Sequence, residues 1–213
     1  MAGEGGGRHR IRVTPDFDME GYSAMSEFNV YQGALFSNFY VDYLSEDGFD
    51  IGLNSFNVPI SGSPSSSNGQ QYDTFLNLTK FFYLDGWVLG VGTQNGTSLG
   101  GHGKKLHNFD FAQVTYEWED WLKLTAGSYY ISNALSQSSQ NVGALVGLDV
   151  EFIDKTLWLE MDWLGGNNSM SGAVINQFWK PTQTLVLYAG TQIPAPNSGN
   201  RYAGIIGFGI DFD

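Results

Sequence analysis

Covalent catalysis needs a nucleophile, an acid–base pair or a cluster of metal ligands, and the 213-residue chain has only 3 His and 0 Cys to offer. A serine nucleophile requires an imidazole held beside it as base. His9 lies near the N-terminus, His102 inside the glycine-rich GGHGKK, and His107 at the start of an alternating segment. No Ser and acid stand at a spacing that brings both to one of these rings. His107 and Asp110 are suggestive only as an isolated pair, and a solvated loop histidine is the plainer reading. Three dispersed His without Cys make no zinc set. Gly100, Gly101 and Gly103 form no phosphate cradle, because no Lys-Ser/Thr leads from them into a helix. The sequence therefore predicts no catalytic residue, no metal and no cofactor.

What remains is acidic. The chain carries 22 Asp+Glu against 10 Lys+Arg, a formal net charge of -12. No nucleic-acid partner is expected, since the GKK at Gly103–Lys105 is the only basic pair and nothing basic and clustered could neutralise phosphates. The acids recur inside alternating segments: Asp42, Asp50, Glu117, Asp149, Glu151, Glu160, Asp162 and Asp211, with Lys123 as a cation among them. Their meaning depends on the elements that carry them.

Those elements read as strands. The chain has 28 Gly, 15 Phe, 11 Tyr and 6 Trp, a balance suited to aromatic-faced strands with crowding relieved by glycine. No apolar run approaches the ~20 residues of a spanning helix, whereas a spanning strand needs only about 9 to 11 with every second one apolar. From Phe28 onward, eleven alternating segments are joined by short and long connections in turn. The short ones are Ser45–Gly48, Asp85-Gly86, Glu119-Asp120, Asp154-Lys155 and Lys180–Gln183. The long ones are Ser-, Asn- and Gly-rich and follow Ile60, Gln94, Ser132, Leu164 and Ile193. A closed barrel with both termini at the short-turn end needs an even count, so His9–Glu20, interrupted at Pro15, is the expected first strand. The fold class is all-β: an antiparallel up-and-down transmembrane β-barrel of about twelve strands. Residues 1–213 form one domain, with 1–8 as a flexible N-terminal segment.

Hairpin register assigns faces. A two-residue turn at Asp154-Lys155 pairs Ile153 with Thr156, Glu151 with Trp158 and Asp149 with Glu160. A three-residue turn at Glu119–Trp121 sets Glu117 opposite Lys123, and Asp85-Gly86 aligns Leu84 with Trp87. A five-residue connection at Leu44–Gly48 pairs Asp42 with Asp50 and Tyr43 with Phe49. Lys80 falls on the apolar face, where its stem snorkels to the interface unless a bulge intervenes. The facing of Ala173–Trp179 is left open by its pattern.

A soluble sandwich would also bury one face of each strand, but two aromatic girdles point to lipid. Tyr43, Phe49, Phe82, Trp87, Trp118, Phe152, Phe208 and Phe212 lie near the short turns; Tyr31, Phe56, Tyr72, Tyr130, Trp163 and Tyr202 lie near the long loops. The terminal segment YAGIIGFGIDFD places Tyr202, Ile206, Phe208, Ile210 and Phe212 on the lipid side and Ile205, Gly207, Gly209 and Asp211 on the lumen side.

Within that segment, Gly207, Ile210 and Phe212 resemble the terminal signal of Gram-negative outer-membrane β-barrels, a Gly followed at fixed spacing by two hydrophobic residues, the last usually aromatic. Ile205 stands where that pattern prefers a polar residue, and Asp213 follows the aromatic one. The resemblance implies recognition by the barrel-insertion machinery, residence in a Gram-negative outer membrane, short periplasmic turns and long extracellular loops. Residues 1–10 lack the apolar stretch of a secretory signal, so an exported chain is expected here in processed form. Trimeric porins usually carry more strands and a long inward loop, so a monomer is expected. Some small barrels of this kind are phospholipases, deacylases or proteases, with their groups at the outer rim. Here the acids sit mostly towards the turns, and a lipid-modifying enzyme would depend on His107.

The acids then line a lumen. Asp42, Asp50, Glu117, Asp149, Glu151, Glu160 and Asp162, opposed by Lys123, make it negative, and Trp158, Tyr129 and Phe111 narrow it. Rings of Asp and Glu favour cations; the competing reading is a wet wall whose acids pair with Arg10, Arg12 or Lys180. About twelve strands fall between side-chain-filled and wide-channel barrels. The expected function is a narrow, passive pore for small solutes or cations, weakly cation-preferring and without enzymatic activity. The alternative is a non-conducting scaffold or surface-binding barrel with a plugged lumen.

Overall fold

The computed structural model describes residues 21–31, 34–61, 72–99, 106–119, 121–136, 140–198 and 201–212. Twelve strands follow one another: β1 (Gly21–Tyr31), β2 (Ala34–Leu44), β3 (Phe49–Ser61), β4 (Tyr72–Leu84), β5 (Trp87–Leu99), β6 (Leu106–Trp118), β7 (Leu122–Ile131), β8 (Val142–Ile153), β9 (Leu157–Leu164), β10 (Gly172–Trp179), β11 (Leu185–Pro194) and β12 (Ala203–Phe212). Each pairs antiparallel with its sequence neighbours, and β12 closes the ring on β1, with Phe212 opposite Tyr22. Closure leaves no open sheet edge. A short helix, α1 (Asn133–Ser136), lies between β7 and β8.

The count of twelve is reached by a different route from the expected one. The stretch Phe28–Leu44 is not one strand: Tyr31 pairs with Ala34, so β1 and β2 form a tight hairpin at the long-loop end. A tilted strand needs only about 9 to 11 residues to cross hydrocarbon, so that longer run contains the end of β1 and all of β2. The barrel therefore closes from Gly21. The expected strand His9–Glu20 and the N-terminal segment 1–8 lie outside the described residues, as does Asp213.

Side chains alternate between two environments. On β12, Ile206, Phe208, Ile210 and Phe212 are exposed while Ala203, Ile205, Gly207 and Gly209 are buried. The same division holds around the ring, with Leu76, Leu78 and Leu84 of β4 outside and Phe75, Asn77, Thr79 and Phe81 inside. A largely apolar exterior of this kind is the surface of a membrane barrel. All eight aromatics expected near the short turns are exposed, as are Tyr130, Trp163 and Tyr202 at the other end. Tyr31 and Phe56 are corrections: both are buried and belong to the interior. On β10, Val174, Asn176 and Phe178 face inward, with Trp179 and Gln177 outward.

Lys80 is outward, and no bulge interrupts β4–β5. Its ammonium donates to the Asp47 carbonyl in the turn below and sits 4.1 Å from the Phe49 ring centre, so the stem lies on the apolar face while the charge reaches the interface.

Candidate functional site: the barrel lumen

Three turns decide where the lumen acids stand. At Glu119–Trp121 and at Asp154-Lys155 the expected register holds, giving Glu117 opposite Lys123 and Asp149 opposite Glu160. A bulge beside the second turn pairs Ile153 with Leu157 rather than Thr156, while Glu151 still faces Trp158. The β2–β3 turn differs. Ser45 and Phe49 close a three-residue loop in which Gly48 has φ +77°, a left-handed residue after a tight turn. That loop aligns Asp42 with Gly52, Tyr43 with Ile51 and Leu44 with Asp50. The expected Asp42/Asp50 and Tyr43/Phe49 pairs are therefore replaced by diagonal neighbours, although both acids still face the lumen.

Three lateral rows organise the interior. The first runs Glu117, Lys123, Asp149, Glu160 and Asn176 across β6 to β10. Lys123 stands between two acids, with its ammonium 3.8 Å from Glu117. Glu160 and Asp162 are both buried, whereas Glu151 turns towards the loop and accepts from the Lys155 backbone N–H. The neighbouring of Lys123 and Asp149 crosses a long connection, whose length leaves register unspecified in the sequence.

The second row is Trp158, Phe178, Tyr188, Gly207, Glu27 and Asn38, from β9 through β12 and β1 to β2. Trp158 and Phe178 stack at 5.0 Å and 2°, and Phe178 and Tyr188 at 4.9 Å. A side chain on Gly207 would overlap the Tyr188 ring. The ring crosses that gap so that its hydroxyl reaches Glu27 Oε2 at 3.4 Å. Glu27 Oε1 accepts from Asn29 and Asn38 at 2.9 Å each. This buried acid carried no signal in the sequence, where it falls in a stretch without a clear strand pattern.

The third row, Asp211, Ser23, Asp42, Gly52, Asn77 and Gln94, forms a polar arc at the turn end. It lines a cavity of about 190 Å³, whose wall also includes Asp50, Trp158 and Phe178. Lys180 Nζ lies 3.1 Å from Asp211, one of the neutralising contacts weighed from the sequence. Arg10 and Arg12 lie outside the described residues.

Towards the loops an aromatic cluster packs inside the ring. Phe56, Phe75, Phe109, Tyr129, Ile131 and Leu145 pack with Leu135 of α1 and with Met170, and Tyr40 and Phe111 border them. Glycines on β5 make the room: a side chain on Gly92 would overlap Phe111, and one on Gly96 would meet Phe75. Tyr129 donates to the Gly165 carbonyl at 2.7 Å and accepts from Asn168, tying the β9–β10 connection into this cluster.

Beside this cluster stands a constellation that sequence spacing did not reveal. Ser98 Oγ lies 2.6 Å from His107 Nε2, and Asp73 lies 3.4 Å from the same nitrogen. A nucleophilic triad needs the acid on the ring nitrogen remote from the serine. Here both crowd one nitrogen, Ser98 is 1% exposed, and Phe75 stacks on the imidazole. Asp110 points to the opposite face of β6, where it accepts from Thr93 and Asn108. His107 and Asp110 are thus not brought together.

A closed ring with apolar exterior and polar rows within defines a transmembrane β-barrel. The KdgM porin superimposes on it with a TM-score of 0.66 at 10% identity, covering 90% of this chain and 99% of that one. The same porin in complex with disordered oligogalacturonate gives 0.65 at 9% identity and the same coverage. Outer membrane phospholipase A from Escherichia coli gives 0.52 at 11% identity over 93% of each chain. No protein-family model and no curated protein sequence matches the chain. The chain has the fold of outer-membrane barrels.

Proposed function

We propose that this barrel is a narrow, passive conduit of a Gram-negative outer membrane that favours small cations over anions. The observation that carries the reading is the set of carboxylates Asp42, Asp50 and Asp211 on the wall of the turn-side cavity, where Lys180 meets Asp211 among the described residues. Carboxylates at a constriction attract cations and repel anions. The same wall opposes a polyanion such as the oligogalacturonate named with the KdgM porin, so a different solute class follows. The mechanism has no covalent step, and the Ser98–His107–Asp73 cluster serves packing. The short turns face the periplasm, the barrel is monomeric, and Gly207, Ile210 and Phe212 present β12 to the insertion machinery. Asp149, Glu160 and Asp162, balanced by Lys123, extend the negative wall.

A second reading is a non-conducting barrel, favoured by the aromatic cluster and α1 that pack inside the loop half. Planar-bilayer recording separates the two. Discrete steps whose cation preference falls in Asp149→Asn and Glu160→Gln support the conduit; silence from a folded barrel supports the plug.

A further inference from the structure

Among the described residues, Lys80 is the only Lys or Arg on an outward strand face. Its ammonium carries three N–H donors, and the Asp47 carbonyl takes one of them. Two donors remain at the turn-side interface. The same β2–β3 turn exposes the carboxylates of Glu46 and Asp47, neither of which has an ion pair among the described residues. One cation and two anions therefore meet the headgroup region side by side.

From Lys80 a groove of about 850 Å³ crosses the outer face. Its floor is the lateral row Phe49, Lys80, Val91, Ala112 and Ser128, on β3 to β7. Val91, Ala112 and Ser128 are short, whereas Ile51, Leu78 and Tyr130 stand taller along its border. Neighbouring strands lie about 4.8 Å apart, so the row extends roughly 19 Å. Phe49 opens β3 at its turn and Ser128 is the seventh residue of β7, so the row climbs from the turn-side rim into the hydrocarbon.

We infer that this face is a binding site for one phospholipid of the turn-side leaflet, with a phosphoethanolamine head. The phosphate takes the two remaining N–H donors of Lys80, a charge-assisted contact. The primary ammonium of the head donates to Asp47 and Glu46, and an acyl chain lies in the groove. Any lipid offers the chain, so the head sets the preference. A purely anionic head meets the repulsion of Glu46 and Asp47, and a quaternary ammonium has no N–H to give them. The inference goes beyond the conduit and does not depend on it, because it uses the outer face alone.

The test uses the folded full-length barrel in detergent, checked by heat-modifiable gel mobility. Native mass spectrometry follows titration with phosphatidylethanolamine, phosphatidylcholine and phosphatidylglycerol of one acyl composition. The expected result is one retained phosphatidylethanolamine per barrel, bound roughly tenfold more tightly than the other two. Lys80→Met keeps the apolar stem, removes the donors and should weaken that binding roughly tenfold. Glu46→Gln with Asp47→Asn should erase the preference over phosphatidylglycerol. Ala112→Trp fills the groove and should weaken all three lipids together. Equal retention of the three lipids, or unchanged affinity in folded Lys80→Met or Ala112→Trp, overturns the site. A barrel dimer that forms without lipid and is lost in Ala112→Trp also overturns it, since a second copy then covers the groove.

Discussion

Asp42 lies over Gly52: a side-chain carbon on Gly52 would overlap the Asp42 carboxylate. The two residues face each other across β2 and β3 and share the room of one side chain. Gly52→Ala should therefore push the carboxylate off the cavity wall. Overpacking of this kind costs about 1–3 kcal/mol, measurable by urea unfolding in detergent, and the variant should conduct with weaker cation preference than the native barrel.

Lys123 is the counter-charge of the first row. Lys123→Met leaves Glu117, Asp149 and Glu160 without the cation between them. Stability should fall by up to about 1 kcal/mol, the range for a partly exposed ion pair, and cation preference should rise. Unfolding midpoints and reversal potentials on one preparation check both signs together.

Glu27 is held by amide donors and a phenol. Glu27→Leu strands the Asn29 and Asn38 amides in the interior, at about 1–3 kcal/mol for each unsatisfied group. Tyr188→Phe removes one long hydrogen bond and should cost less than about 1 kcal/mol. Equal losses in the two variants would contradict the role given to Glu27.

Gly207 stands both in an insertion-like pattern and beneath the Tyr188 ring. Gly207→Ala should lower folding yield, and combining it with Tyr188→Ala should recover part of that loss by clearing the space. Recovery in vitro, where no insertion machinery is present, assigns the glycine to packing; no recovery would remove the steric account.

Much of this architecture was legible because the sequence carries its own rulers. Two- and three-residue turns at Asp85-Gly86 and Glu119–Trp121 leave one register, and the alternating faces of β4 to β7 follow from it. The β2–β3 turn misled because Ser45 closes the loop inside a segment that looked like connection, so Asp42 slid from Asp50 to Gly52. The β1–β2 hairpin was hidden by an apolar pattern that continues across its turn. Contacts spanning long loops, such as Lys123 with Asp149, have no local ruler at all. The Ser98–His107–Asp73 cluster is the same case, since its three residues meet only after β4, β5 and β6 have paired.

The account turns on the sign of the field inside the barrel. The direct measurement is the reversal potential of single barrels in a planar bilayer under a KCl gradient. The account gives stepwise conductance that reverses on the potassium side of zero and moves towards zero in Asp42→Asn. A reversal on the chloride side, or a folded and inserted barrel that stays silent, would contradict it.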